Sequence, residues 1–287
     1  MSGTAPQNFV HWLRAERKTG SPWATTGSPG RTFGPLASAA ERTLLTQTIV
    51  SEIVPYLATL DRIEAIRSAV DDDEIEYFAS LLVTDAREQA EAEVVRLRNI
   101  GLSCETIYLE LFTPTARLLG QKWLDDGCSS VDVAVGVGCM QRILRTLSAN
   151  VCFSCRETRA GRRVLLGTLL DEQHSFGLSI LTEFFERSSW EVRSLPRAEA
   201  SDFVSLVRVE WFDVVGLSAG SEVKTSTVAA CLRTVRRLSR NPQAKILVGG
   251  AAFLANPGRA LDMGADATAT DARDAVRQAE YLRLQNY

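Results

Sequence analysis

Residues 162–186 read RRVLLGTLLDEQHSFGLSILTEFFE, and the fold class turns on how this stretch is parsed. Its first part, 162–170, is a nearly unbroken apolar run, the pattern of a strand buried on both faces. From about 174 the apolar residues recur at helical spacing, which predicts a helix to about 187. Between the two lie Asp171, Glu172, Gln173, His174 and Ser175, a polar connection at the turn from strand to helix. His174 is one of only 2 histidines in the chain. It is either a packed residue at a helix start or a side chain aimed at something bound.

The same alternation continues downstream. WEVRSLP, FDVVGLS and AKILVGG read as further strands, and ADATATD as a weaker fifth. Helical patterns follow each in turn: AEASDFVSLVRVE, SEVKTSTVAACLRTVRRLSR, a short AAFLAN, and ARDAVRQAEYLRLQ. Five strands alternating with helices make a parallel, doubly wound α/β sheet, Rossmann-like in class. The right-handed crossover rule leaves a flavodoxin-like strand order as the expected topology.

Upstream the period changes to that of helices. The stretches 41–60, 71–101, 103–127 and 129–151 each carry apolar residues at helical spacing, so an N-terminal four-helix bundle is expected. Acids at 71–74 suit a helix start, Gly101 and Gly127 read as stops, Ser103 and Ser129 or Ser130 as caps, and Pro55 and Pro114 as breaks or kinks. Residues 1–36 are rich in Gly, Pro, Ser and Thr, a composition that builds no core. Inside that arm, QNFVHWLRAERK is a short amphipathic piece containing His11. The expected organisation is therefore an arm at 1–36, a helical cap domain at 37–158, and an α/β domain at 159–287, joined near 153–161.

Composition excludes several classes. The chain has 287 residues, 45% hydrophobic and 23% charged, with a formal net charge of −3. It has no global basic field for non-specific nucleic-acid binding. No apolar run approaches the roughly 20 residues of a membrane helix, and the N-terminus lacks a secretory core. A cytoplasmic location without membrane association is expected, and the 6 cysteines read as thiols. Cys152 and Cys155 form a lone CxxC, too few ligands for zinc; a redox disulfide and two plain thiols both stay open. Arg233, Arg236, Arg237 and Arg240 share one helix face, which reads as a solvated face at a helix C-terminus or, less simply, as a phosphate or acidic-partner contact.

In an open parallel sheet, ligands bind at the carboxyl ends of the strands. Three connections there stand out: Glu172-x-His174-x-x-Gly177, then Ser218-x-Gly220, then Gly249-Gly250. A histidine at a loop–helix junction can project its imidazole beyond the sheet edge, and an acid two residues upstream can accept its second N–H. Gly177 leaves room for a bulky group at the helix start. Ser218 offers a small hydroxyl. Paired glycines allow close backbone approach.

These three elements, in this order behind a helical bundle, resemble the cobalamin-binding domain family, whose pattern is Asp-x-His-x-x-Gly, Ser-x-Leu and Gly-Gly. The resemblance spans about 37–287. It implies that His174 is the lower axial ligand to cobalt and that the displaced nucleotide tail is buried in the α/β domain. GQKWLDDG resembles the family's capping segment, which implies that Trp123 borders the upper face. Where the family often has Glu-His after the tryptophan, this chain has Asp132 and Val133. Glu172 stands for the usual aspartate, and Gly220 for the usual leucine. The bundle thus offers no imidazole, and His11 is either the upper ligand, brought by the arm, or a solvated or packed residue of that arm.

An arm, a bundle and such a domain standing alone resemble the AerR/PpaA group of photosynthesis-gene regulators. That resemblance implies a light- or redox-responsive antirepressor with no enzymatic activity of its own. Its partner would be a repressor-type transcription factor, with DNA reached through it. It implies cobalamin, or heme in the variant domains of the same fold. The competing expectations are a corrinoid methyl carrier serving separate methyltransferases and a scaffold that binds no tetrapyrrole.

Overall fold

The structure is a computed structural model that describes residues 70–84, 86–149, 161–169, 176–220, 225–254 and 256–285. All of these belong to one compact unit, residues 60–287. The expected helix at 41–60, the arm with His11, the CxxC at 152–155, and Glu172 and His174 lie outside the described residues.

Helix α1, Asp72–Val83, starts where the acids predict: the Asp71 carboxylate accepts from the Glu74 N–H at 2.9 Å. The stretch 71–101 is two helices rather than one. Thr84 closes α1 with both its N–H and its hydroxyl on the Ser80 carbonyl, and α2 runs Arg87–Asn99. Both helices feed one core: Phe78, Ala79 and Leu82 of α1 are buried with Ala90, Val94 and Leu97 of α2. Helix α2 stops at Gly101, whose φ of 104° a glycine tolerates, with Leu102 N–H on the Leu97 carbonyl.

Ser103 caps the next helix by accepting from Thr106 N–H at 3.0 Å. That helix, α3 (Cys104–Thr106), widens into a π-helical segment, Ile107–Phe112, before α4, Thr113–Leu124. Pro114 explains the widening. It has no N–H to give the Glu110 carbonyl, and the ladder slips one residue so that the Thr113 N–H and hydroxyl both reach Tyr108. At the end of α4 the left-handed residue is Asp126 (φ 57°) rather than Gly127, whose N–H returns to the Lys122 carbonyl. Helix α5, Ser130–Ala149, opens on Ser129.

The second layer is a sheet of parallel strands in the order β2-β1-β3-β4-β5, the expected flavodoxin-like topology. The strands are β1 Arg163–Leu169, β2 Glu191–Ala198, β3 Val214–Ser218, β4 Lys245–Gly249 and β5 Ala267–Ala269. Between them run α6 (Phe176–Arg187), α7 (Ala200–Val209), α8 (Thr225–Leu238), the short α9 (Ala251–Leu254) and α10 (Gly258–Asp262), and α11 (Ala272–Leu284). Helix α10 is the one element here that periodicity does not predict.

Alternate strand residues feed two cores. Leu165, Val215 and Ile246 pack with Phe203 of α7 and Leu232 and Val235 of α8. Val164, Leu166, Val214 and Leu247 pack with Phe185 of α6 and Ala279 of α11. Strand β1 is thus buried on both faces, as its apolar run requires. A third core joins the layers, because Phe176, Ile180 and Phe184 of α6 are buried among the residues of α1 to α5.

Candidate functional site

Strand register brings the expected motifs to one line. Thr168 of β1 pairs with Ser218 of β3, Ser218 with Gly249 of β4, and Gly249 with Ala269 of β5. Four small side chains therefore cross the carboxyl edge in a row. The two loops beyond this row are stitched together. Ala219 N–H donates to the Gly249 carbonyl at 2.9 Å, and Ala252 N–H donates to the Ala219 carbonyl at 3.2 Å. Gly250 makes this approach possible. Its φ is 98°, and a Cβ there would stand 2.4 Å from the Ala219 carbonyl oxygen. Gly220 follows, half-buried.

Glu172 and His174 belong to the segment that links Leu169, at the end of β1, to Phe176, the first residue of α6. Gly177 is exposed, and a Cβ there would meet nothing within 4 Å, so the start of α6 is open on that side. Phe176 turns the other way and packs its ring on Phe112 of the π-helical segment, centroids 6.3 Å apart.

Trp123 is half-exposed near the end of α4, with Leu124 and Val131 exposed beside it across the α4–α5 turn. Asp132 has a defined local role. Its carboxylate accepts from both the N–H and the hydroxyl of Ser129, and these bonds hold its pKa below the usual carboxylate value. It is the N3 member of a reciprocal cap on α5. Along the basic run, Arg236 pairs with Asp266 at 2.8 Å, Arg240 donates to the Val209 carbonyl, and Arg233 and Arg237 are exposed. Among the described residues no group of three or more His, Cys, Asp or Glu could hold a metal ion.

Two features escaped the sequence reading. Thr168 is fully buried, and its hydroxyl accepts from the Arg197 N–H, which fixes the β1–β2 edge where the register shifts. The other is a buried charged cluster under α6. Glu183 is 5% exposed, takes the Arg187 guanidinium on one oxygen, and takes the Ser148 hydroxyl on the other. Arg187 also reaches Glu105 and the Tyr108 hydroxyl, each at 3.5 Å, and lies over the Tyr108 ring. Burial, with the Glu183 charge adding to it, pushes the Tyr108 hydroxyl well above the usual phenol range. Burial works against the Arg187 charge, but Tyr108, Cys104 and Glu183 outweigh it. Glu183 and Arg187 stand four apart on a mostly apolar helix that also carries Ser179, Thr182 and Glu186, and that i,i+4 spacing is the signal that could have found them.

Among the described residues the carboxyl edge carries nothing that would block a bound group: no bulky side chain stands in the row across the strand ends, the loops over β3 and β4 meet through glycine, and the start of α6 is open at Gly177.

Comparison with known proteins agrees with this geometry. Residues 162–280 match the B12 binding domain family model. Over 156 residues the chain is 25% identical to an uncharacterised 20.5 kDa protein in the bchF-crtJ intergenic region of Rhodobacter capsulatus, 54% of this chain and 81% of that one. The monomethylamine corrinoid protein of Methanosarcina barkeri superposes with a TM-score of 0.59 at 13% identity, over 77% of this chain and 99% of that one. A cobalamin-binding protein of Desulfitobacterium hafniense gives 18% identity and a TM-score of 0.39, over 72% and 98%. The fold is thus a Rossmann-like sheet with flanking helices shared with a corrinoid protein, and its α/β part corresponds to the B12 binding domain. Among the described residues no helix is long and apolar enough to cross a membrane.

Proposed function

We propose that this chain is a cobalamin-binding, light- or redox-responsive regulator that acts in the cytoplasm through a partner repressor and is not itself an enzyme. The observation that carries the cobalamin part is the coincidence of the B12 binding domain match with the convergence of Ser218, Gly249 and Gly250 at the carboxyl edge. His174 would hold the cobalt from one side, with Glu172 to orient its imidazole, and His11 would hold it from the other. Ser218, Gly220, Gly249 and Gly250 would border the nucleotide tail, Gly177 would leave room beside His174, and Trp123 and Asp132 would lie on the side of His11. The corrin would supply a metal centre that responds to light or reduction.

The regulatory part draws on the arm–bundle–domain order and on the relative named for the bchF-crtJ region. A corrin is favoured over a heme because the matching family model is a B12 binding domain and the solved neighbour with a TM-score of 0.59 is described as a corrinoid protein. The test is the absorption spectrum of protein purified after growth with cobalamin, dark and illuminated, for wild type, His174→Ala and His11→Ala. Corrin bands that shift on illumination and in each histidine variant are the expected result. A Soret band, or no chromophore, overturns the reading. A corrinoid methyl carrier would instead show cobalt cycling with a reductant and a methyl donor, without response to light.

A further inference from the structure

The charged cluster under α6 takes no part in the edge described above, yet it stands at the other end of the helix that starts there. Helix α6 has 12 residues, from Phe176 to Arg187. At 1.5 Å per residue it spans about 18 Å. Its first residue stacks on Phe112, and its last turn holds Tyr108 through Phe184 and Arg187. Both belong to the π-helical segment Ile107–Phe112. One six-residue segment therefore touches both ends of α6.

The chemistry of the distal end matters. An apolar contact can slide by small steps, because dispersion has no direction. A guanidinium shared among Glu183, Glu105 and Tyr108 cannot, since a small displacement leaves a buried charge unpaired, and the arrangement is either made or remade. The Ser148 hydroxyl on Glu183 extends the joint to α5. The π-helical segment has the slack to take up such a change, its ladder already displaced by one residue at Pro114.

We propose that this cluster is the junction through which occupancy of the carboxyl edge is transmitted to the helical layer, with Glu183 and Arg187 as its positioning residues. The inference rests on the corrinoid reading above. It assigns the moving joint to α6 and the π-helical segment rather than to the exposed tip at Trp123.

The test is hydrogen exchange of the full chain, resolved by segment, with and without hydroxocobalamin. In wild type, cobalamin slows exchange in α6 and also at 108–112 and 145–149 by about 5-fold or more, the low end of ordinary coupling between sites. In Arg187→Met, α6 still slows, but 108–112 and 145–149 change by no more than about 2-fold, and cobalamin affinity falls by the matching factor, as linkage requires. Arg187→Lys keeps the charge on Glu183 and recovers part of the response. Ser148→Ala removes one hydroxyl, keeps the fold, and silences 145–149 alone; it decides the matter should Arg187→Met not fold. Equal slowing of the helical layer in Ser148→Ala and wild type, or in Arg187→Met and wild type, overturns the junction. A wild-type chain without corrin bands and without any slowing sinks the corrinoid reading itself, a distinct outcome.

Discussion

Gly250 and Gly264 form a natural pair for measuring what the carboxyl edge costs to build. Their φ values are 98° and 96°, so alanine at either pays a similar backbone strain of about 1–3 kcal/mol. Their surroundings differ. A Cβ at Gly264 meets nothing within 4 Å, whereas one at Gly250 stands 2.4 Å from the oxygen, 2.9 Å from the nitrogen and 3.0 Å from the carbonyl carbon of Ala219. These neighbours are backbone, already fixed by the bonds from Ala219 to Gly249 and from Ala252 to Ala219, and no side chain can swing aside. Overpacking of this kind adds about 1–3 kcal/mol. Gly264→Ala should therefore lose about 1–3 kcal/mol, and Gly250→Ala about 2–6 kcal/mol. With a urea slope of about 2–3 kcal/mol per M, the Gly250→Ala midpoint falls by about 0.7–3 M. The assay is urea unfolding followed by far-ultraviolet circular dichroism, run beside cobalamin titration of each variant. Gly250→Ala loses cobalamin affinity even where it is folded, and Gly264→Ala keeps it. Equal midpoints for the two variants would falsify the claim that the approach of Ala219 demands glycine at 250.

Gly177→Ala should leave the unfolding free energy from urea titration within about 1 kcal/mol of wild type, since its Cβ has open space in a helix, while corrinoid retention on a desalting column drops. Arg187→Met should cost about 3–5 kcal/mol, because the mostly buried Glu183 carboxylate is left without its cation; a thermal midpoint unchanged from wild type would argue that Glu183 is not buried in solution. Burial pushes the Cys231 thiol up to about 11, so iodoacetamide at pH 8 should leave it unmodified in the native chain and label it only in denaturant, as read by peptide mass spectrometry. For Asp274, burial works against the charged form, but the Arg277 guanidinium and the Thr270 N–H outweigh it and hold its pKa below the ordinary 3.8. A depressed folded value stabilises above the unfolded value and is lost as pH falls through the folded one. Asp274→Asn should thus be less stable than wild type at pH 7, with the gap narrowing toward pH 3; a gap that widens on acidification contradicts the assignment.

The α/β half was legible because its signals are local. The double-faced apolar run at 162–170 and the change to helical period at about 174 need no partner to be read, and the right-handed crossover rule then leaves few strand orders; the structure sets the strand at Arg163–Leu169 and the helix at Phe176–Arg187. The helical half was legible at its caps, where Asp71, Gly101, Ser103 and Ser129 do what their chemistry predicts. It was not legible where tertiary packing decides. The break after Val83 belongs to how α1 and α2 pack into one core, which local periodicity does not record. Asp126 takes the left-handed turn beside a glycine that could have taken it, a choice that follows from where the chain must leave α4. Pro114 was seen as an interruption, but whether a helix answers proline with a kink or a π-helical slip depends on what its side chains must reach.

The same division holds at the site, and it bears on where a signal can travel. Motif spacing singled out Ser218 and Gly249, and register brings them together: each is the last residue of a strand, and parallel pairing places the two side by side. Residues that act through other residues leave no such trace. Glu183 and Arg187 look from sequence like an ordinary surface pair at i,i+4, worth a few tenths of a kcal/mol. Only the helical layer packed over them, with Tyr108 and Ser148 supplying the remaining bonds, turns them into a buried joint. A ligand site at a sheet edge can change a distant layer only through elements touching both. Helix α6 begins at the Gly177 opening and carries Phe176, Ile180 and Phe184 into the core shared with α1 to α5, and α11, which starts just beyond β5, adds Ala272 to the same core. What α6 brings besides is the charged contact of Glu183 and Arg187 with Ser148 and Tyr108, so the response is assigned to its charged end.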